Sequence, residues 1–350
     1  LAKIKKRILG RTGVEVTELG FGGIPIIPLP QDKAVRILHR ALDRGINYLD
    51  TARAYGTSET KIGEVMKTRR EECFLATKTH FYGAQEARQA LKTSMKELQT
   101  NVIDLYQIHD LSSRERYEKA MGKGGALEEL FRARDRGRVR FLGVTGHNIE
   151  LLMEALDSGH FDAILCVYNL AIPDAKDVLL PKAQSMNVGV AVMKPLSGGA
   201  LFALSKNRIT PHEALRFVLS NPNITTALGG AKLIRDIEQN VRIAKTYLPM
   251  TEQEATPLVE MAKKLGEAVC RNCRYCENCP EHIPVPTIMQ LFDHSKAFGY
   301  EWPKHRKIYA ALPVKADVCT QCGACEKSCP FKLPVRQRLA QAHKRFNQPV

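Results

Sequence analysis

Eight of the chain's ten cysteines stand in two short runs, CRNCRYCENCP from Cys270 to Pro280 and CTQCGACEKSCP from Cys319 to Pro330. In both, thiols recur at close, nearly regular intervals and a proline follows the last one. Thiolates are soft metal ligands, and at this spacing consecutive ones can reach different irons of one [4Fe–4S] cube. The second run, C-x2-C-x2-C-x3-C-P, has the spacing known for such clusters, and the first is one residue shorter before its last cysteine. Structural zinc prefers two separated C-x2–4-C pairs. Disulfides suit a secreted chain, and the opening LAKIKKRILGRTG shows neither an apolar stretch nor a cleavage site, so no secretory signal is expected. Cys73 and Cys166 fall in apolar, strand-like stretches and are expected to be buried core thiols.

A second set of chemical groups lies earlier in the chain. Asp50 ends the stretch NYLD, Tyr55 follows in the next loop, Lys78 ends CFLATK and His109 ends DLYQIH. Taken singly, these are a turn-capping acid, a packing ring, a solvated lysine and a satisfied polar histidine. Together they sit at three consecutive strand ends, which a barrel would bring to one rim. A phenol with a pKa of about 10 is a poor donor at neutral pH, and a neighbouring cation lowers that value. Lys78, held by Asp50, is expected to do this, with His109 orienting a carbonyl. Tyr55 would then protonate an oxygen as reducing equivalents reach the adjoining carbon.

The elements that must position these groups follow from the apolar pattern. Between Leu19 and about Ala244, eight short β-branched or aromatic-rich stretches read as strands: ELGFG, NYLD, CFLATK, DLYQIH, RFLGVT, AILCVYN, VGVAVMK and TTALGG. Between them lie helix-period segments. DKAVRILHRALDRG, for example, puts Ala34, Ile37, Leu38, Ala41 and Leu42 on one stripe, and Gly45 and Gly159 fit helix ends. The alternation predicts an α/β fold, a (β/α)8 TIM barrel. A doubly wound sheet is the alternative, but no G-x-G-x-x-G follows the first strand. KKRILGRTGVEV reads as a hairpin ahead of the barrel. Pro249 and the polar residues after it suggest a boundary, giving a barrel over 1–250 and a small, mostly helical domain over 251–350. TIMQLFDHSKAFG and EWPKHRKIYAAL read as two short helices between the cysteine runs.

The segments GINYLDTARAYGTSETKIG (45–63), LATKTH (75–80), DLYQIH (104–109) and GRVRFLGVTGH (137–147) resemble the aldo-keto reductases across essentially the whole barrel. The resemblance implies that Asp50, Tyr55, Lys78 and His109 form that family's catalytic tetrad, and that the reaction is carbonyl reduction by hydride from a nicotinamide cofactor. Where the family holds the nicotinamide, this chain departs. Thr145 and Gly146 replace a Ser-Asn pair, Leu165 a glutamine, Met193 the stacking aromatic, and Asp236, four residues before Asn240, the arginine for a 2′-phosphate. Thr145, Lys194, Gly198, Gly199, Gly230 and Lys232 remain as candidate cofactor-binding residues, the glycines and lysines as a phosphate cradle. No specific flavin motif is present.

The cysteine runs resemble two-cluster ferredoxin domains, and a branch of the aldo-keto reductases carries such a tail. In those domains the fourth cysteine of each run ligates the other cluster. The resemblance therefore implies Cys270, Cys273, Cys276 and Cys329 for one [4Fe–4S] cluster, and Cys319, Cys322, Cys325 and Cys279 for the other. The formal net charge is +15, and ten Lys or Arg face three Asp or Glu after residue 300. With no nucleic-acid-binding motif beside it, this tail suggests a solvated basic face or an acidic electron-transfer partner such as a ferredoxin. No apolar run reaches the roughly 18 residues of a membrane span, and a cytoplasmic location is expected. The function expected is an iron–sulfur oxidoreductase acting on a small carbonyl substrate. NAD(P)H-dependent reduction with accessory clusters, and a non-catalytic electron-transfer subunit, stand as alternatives.

Overall fold

A computed structural model describes residues 2–199, 202, 205, 208–266, 270, 275–297, 302–329 and 331–347. Two short antiparallel strands, β1 (Lys6–Ile8) and β2 (Glu15–Thr17), form the expected hairpin. Eight parallel strands follow: β3 (Leu19–Gly22), β4 (Tyr48–Asp50), β5 (Phe74–Thr79), β6 (Ile103–Ile108), β7 (Val139–Thr145), β8 (Ala163–Val167), β9 (Gly189–Met193) and β10 (Thr226–Gly229). They close as a barrel in chain order, with β10 pairing β3. All eight predicted strands are present.

Helices cover the barrel because each buries one stripe. The helix Gln31–Asp43 buries the five residues expected from its period, Ala34, Ile37, Leu38, Ala41 and Leu42. Full burial of each Leu or Ile contributes about 1.5–3 kcal/mol. The chain then reverses at Gly45, whose φ of +92° is left-handed backbone that a side chain would strain. Inside the barrel, Tyr48, Phe74, Ala76, Leu105, Leu165 and Ala191 pack with Leu9 and Val16 of the hairpin region. The hairpin thereby plugs the end of the barrel where the strands begin, and the opposite rim carries the polar groups. Cys73 and Cys166 are buried, as expected.

The helix Glu252–Gly266 was expected to open the second domain. Instead Ala255 and Ala262 join the barrel's hydrophobic cluster, and Lys176–Glu252 and Arg216–Glu254 ion pairs tie its start to the barrel. Apolar packing thus divides after this helix rather than at 250/251. A separate cluster follows, built on Ile283, Val285, Ile288, Phe292, Tyr309, Leu339 and Phe346, with Cys276 and Cys325 inside it. Its helices are Val285–Ala297, Trp302–Ala310, Ala324–Lys327 and Val335–Phe346, the first two being the pair expected between the cysteine runs. Among the described residues no helix is long and apolar enough to cross a membrane.

Candidate active site and thiolate cavity

The ends of β4, β5 and β6 bring the four expected residues together. Lys78 is fully buried and donates to Asp50 Oδ1 at 2.5 Å and to the Thr51 carbonyl at 2.6 Å. Gln107 donates to the other oxygen of Asp50 at 3.2 Å. The Lys78 ammonium lies 5.0 Å from the Tyr55 ring centroid, and the Tyr55 and His109 rings meet edge-on at 5.5 Å and 79°. The turn holding Tyr55 is fixed by backbone bonds from Thr51 to Ala76 and from Arg53 to Lys78.

Gln107 was not picked out from the sequence. The period-two alternation of DLYQIH contained the signal, since Leu105, Gln107 and His109 share a face. Gly143 makes room for it: a Cβ there would stand 2.8 Å from Gln107 Cγ and 3.1 Å from the Ala163 carbonyl.

Burial pushes Asp50 up and Lys78 down, and their contact opposes both shifts. The expectation that Lys78 would lower the Tyr55 pKa is not met. Burial, and after it the carboxylates of Asp50 and Asp110, hold the phenol well above its ordinary value. The physical reason is that Lys78 directs its charge at Asp50 and Thr51 and approaches only the Tyr55 ring. Tyr55 is therefore a protonated donor across the physiological range. Burial, reinforced by Lys78, lowers His109 to about 3, so its imidazole is neutral.

On the side of the rim expected to hold a nicotinamide, several of the named positions make contacts within the protein. Thr145 is buried, and its hydroxyl accepts from the Asp110 N–H at 2.9 Å. A Cβ on Gly146 would meet the Leu111 carbonyl at 3.1 Å and Leu152 at 3.3 Å. Leu165 belongs to the barrel interior. Asp236 accepts from the N–H groups of Lys232 and Leu233, both at 2.9 Å, in the first turn of the helix Ile234–Thr246. Gly230 serves a close loop crossing, since a Cβ would stand 2.4 Å from Pro25. Thr145, Gly230 and the Lys232 backbone thus make contacts within the protein. Gly198 and Gly199 lie in a short 3-10 turn, Ser197–Gly199, where a Cβ on Gly199 would meet nothing within 4 Å. As a set, these residues do not fit a nicotinamide dinucleotide bearing a 2′-phosphate.

Between the tetrad and the cysteines runs a polar chain that the sequence did not suggest. Arg116 donates to Asp110 at 2.5 Å, and Asp110 lies 3.3 Å from His147 Nδ1. His147 Nε2 lies 3.2 Å from Lys194 Nζ. Crowding by the surrounding protein opposes the charge of Lys194, and the nearby Cys270 and Asp110 favour it. Arg116 also stands 3.9 Å from Glu277 in the first cysteine run.

The second run and the end of the first share one cavity. Cys279, Cys319, Cys322 and Cys325 all line it, with Pro280, Val285, Arg336 and Leu339 around them. Burial, Glu326 and the neighbouring Cys319 and Cys279 together push the Cys325 thiol up to about 11. Among the described residues, no three Cys, His, Asp or Glu converge closely enough for a single metal ion. Of the other four cysteines, Cys276 is buried, Cys270 and Cys329 are half-buried, and Cys273 lies outside the described residues.

The profile of the Aldo/keto reductase family matches residues 18–213, and that of the 4Fe-4S dicluster domain matches residues 269–334. L-galactose dehydrogenase of Arabidopsis thaliana is 28% identical over 284 residues, covering 69% of this chain and 88% of that protein. The holo form of aldo-keto reductase AKR11C1 from Bacillus halodurans superposes with a TM-score of 0.65 at 26% identity, over 74% of this chain and 97% of its own. An aldo/keto reductase from Klebsiella pneumoniae, solved in complex with NADP and acetate, shares the fold with a TM-score of 0.62 at 22% identity, over 74% of this chain and 96% of its own.

Proposed function

The chain belongs to the aldo/keto reductase family, and we propose that it is an iron–sulfur oxidoreductase acting on a small carbonyl compound or the matching alcohol. Electrons pass through two [4Fe–4S] clusters to or from a one-electron redox protein, with the basic C-terminal region suited to an acidic carrier such as a ferredoxin. The observation that carries this reading is the approach of the first cysteine run to the barrel rim, where Glu277 stands 3.9 Å from Arg116.

Cys279, Cys319, Cys322 and Cys325 would hold one cluster, and Cys270, Cys273, Cys276 and Cys329 the other. Bound there, the clusters supply single electrons at a potential set by charge, hydrogen bonds and exposure. Tyr55 gives its proton to the carbonyl oxygen and regains one from solvent, while Lys78, bound to Asp50 and the Thr51 carbonyl, packs against its ring. Asp50 and Gln107 keep Lys78 in place, while the neutral His109 orients the carbonyl.

The reaction balances as carbonyl plus two electrons plus two protons giving the alcohol. One proton arrives at oxygen from Tyr55, and the hydrogen on carbon comes from solvent. A hydride donor would instead bring that hydrogen with it. The test runs the anaerobically purified protein in deuterium oxide with reduced methyl viologen and benzaldehyde as probe. Deuterium on the carbinol carbon is expected. No such product with viologen, together with protium delivered from NADPH to that carbon, overturns the proposal.

A further inference from the structure

On the two-cluster reading above, the thiolate set of Cys279, Cys319, Cys322 and Cys325 has one side open to solvent. Among the described cysteines Cys322 alone is exposed, the others being buried or half-buried. Thr320 and Gln321 beside it are exposed as well, and so is Val318, at 47%. One-electron transfer weakens steeply with distance, so a carrier is best placed where a cluster ligand meets solvent.

Beside this exposed edge runs an open groove lined by Gln321, Glu326, Lys332, Pro334, Arg336 and Gln337. Arg336 also lines the thiolate cavity, so its side chain is a wall shared by the two. That wall is fixed: the guanidinium donates to Glu326 at 2.7 and 2.8 Å and to the Gln321 carbonyl at 3.1 Å. A Cβ on Gly323, whose φ is +77°, would stand 3.9 Å from Arg336 Cζ, which places the guanidinium against the turn between Cys322 and Cys325.

The charges around the groove do not cancel. Glu326 is neutralised by Arg336. Lys332 is exposed and pairs with no carboxylate, and the same holds for Lys327, one residue after Glu326. Of the other nearby acids, Glu281 is half-buried at the thiolate cavity and Asp317 stands 3.9 Å from His343 Nδ1. The groove therefore offers an ammonium and two exposed amides, with a second ammonium close by, next to an exposed cysteine. Weak electron-transfer complexes bury less than about 1,200 Å2 in all, so a small charged patch at such an edge is enough to define one.

We propose that this groove is where the one-electron carrier docks, through an acidic face whose carboxylates meet Lys327 and Lys332. Electrons are then exchanged at the Cys322 edge. In the reducing direction the carrier loses one electron and the cluster gains it, and no bond forms or breaks.

The test follows cluster reduction by stopped-flow absorbance in the anaerobic full-length holoprotein. The probe is a reduced plant-type [2Fe–2S] ferredoxin of acidic surface, with reduced methyl viologen as a small cationic donor for comparison. Complementary charge raises association rates by about 10–10³-fold, and salt screens it over roughly 8–10 Å at 0.1–0.15 M. Lys327→Glu/Lys332→Glu should therefore slow reduction by ferredoxin roughly tenfold or more at low salt, with the gap closing at high salt. Lys327→Gln/Lys332→Gln should give part of that loss. Reduction by viologen should not slow in either variant, and both should keep the iron and sulfide content of wild type. Lys92→Glu/Lys96→Glu, the same charge change on exposed residues of the barrel helix Ala84–Glu97, should leave the ferredoxin rate nearly unchanged. A wild-type ferredoxin rate insensitive to salt, an equal loss in the barrel control, or clusters that viologen reduces and ferredoxin does not, refutes the proposal alone. So does a dimer, seen by sedimentation, that the groove variants dissociate, since a second copy would then fill the groove. Protein that neither donor reduces, or that is purified without iron and sulfide, sinks the two-cluster reading and this proposal with it.

Discussion

Replacing Lys78 by Met probes the buried pair on which Tyr55 depends. The Lys78 side chain is 0% exposed and that of Asp50 4%, with 2.5 Å between them. Without the lysine, Asp50 keeps one side-chain donor, Gln107 at 3.2 Å. Removing one member of such a pair costs about 3–5 kcal/mol. The cost should depend on pH, because burial already pushes Asp50 up and the lysine that opposed this shift is gone. An acid whose folded pKa lies above its unfolded value of about 3.9 binds more protons when folded. Its stability is fully present below that unfolded value, falls as pH rises toward the folded pKa, and is flat beyond it. Each unit of elevation is about 1.36 kcal/mol. Lys78→Met should therefore lose less stability at pH 5 than at pH 8, each measured against wild type. The double variant Asp50→Asn/Lys78→Met buries no charge at this site and should recover most of the loss at pH 8. Anaerobic urea unfolding, followed by far-ultraviolet circular dichroism at both pH values, measures all three proteins. A pH-independent deficit, or a double variant no more stable than the single one, refutes the reasoning.

Four further outcomes are expected. Tyr55→Phe keeps the ring and removes the donor, so turnover should fall roughly 10²–10⁴-fold with folding unchanged; near-normal turnover would assign the proton to another group. Anaerobically purified protein should carry about eight iron and eight sulfide per chain. Cys279→Ala should disturb the cluster of Cys319, Cys322 and Cys325 and spare the other, which spectroscopic quantitation of the two clusters checks. NADPH should bind weakly or not at all in titration calorimetry, since each missing hydrogen bond removes about 0.5–1.5 kcal/mol and Asp236 repels a 2′-phosphate. Micromolar affinity, with hydride transfer that survives cluster loss, would contradict this.

The barrel was legible because its signals are local. Period-two and period-3.6 patterns depend on neighbours a few residues apart, and the stripe on Gln31–Asp43 is a direct copy of the sequence pattern. The tetrad was legible for a related reason: its members close consecutive strands, so barrel closure alone brings them together. The Asp110–His147–Lys194 chain was not, because it joins the ends of β6, β7 and β9 through side-chain contacts that no spacing encodes. The domain boundary was misplaced because the polar TEQEA and Pro257 look like a linker, while the decisive contacts come from two small residues, Ala255 and Ala262. The Tyr55 pKa went the other way because proximity of a lysine says nothing about which partner takes its charge.

The two halves of the rim have diverged in a connected way. On β4 to β6, Asp50, Lys78, Gln107 and His109 gather beside Tyr55. On the other half, positions expected to contact a nicotinamide have not merely lost polar groups. Thr145 anchors the Asp110 backbone, and Lys194 is held by Asn169 and His147. A barrel that had simply decayed would show gaps there, whereas this one shows a polar chain leading to a cysteine run. The ion pair of Arg116 with Glu277 carries that chain from the barrel rim to the first cysteine run.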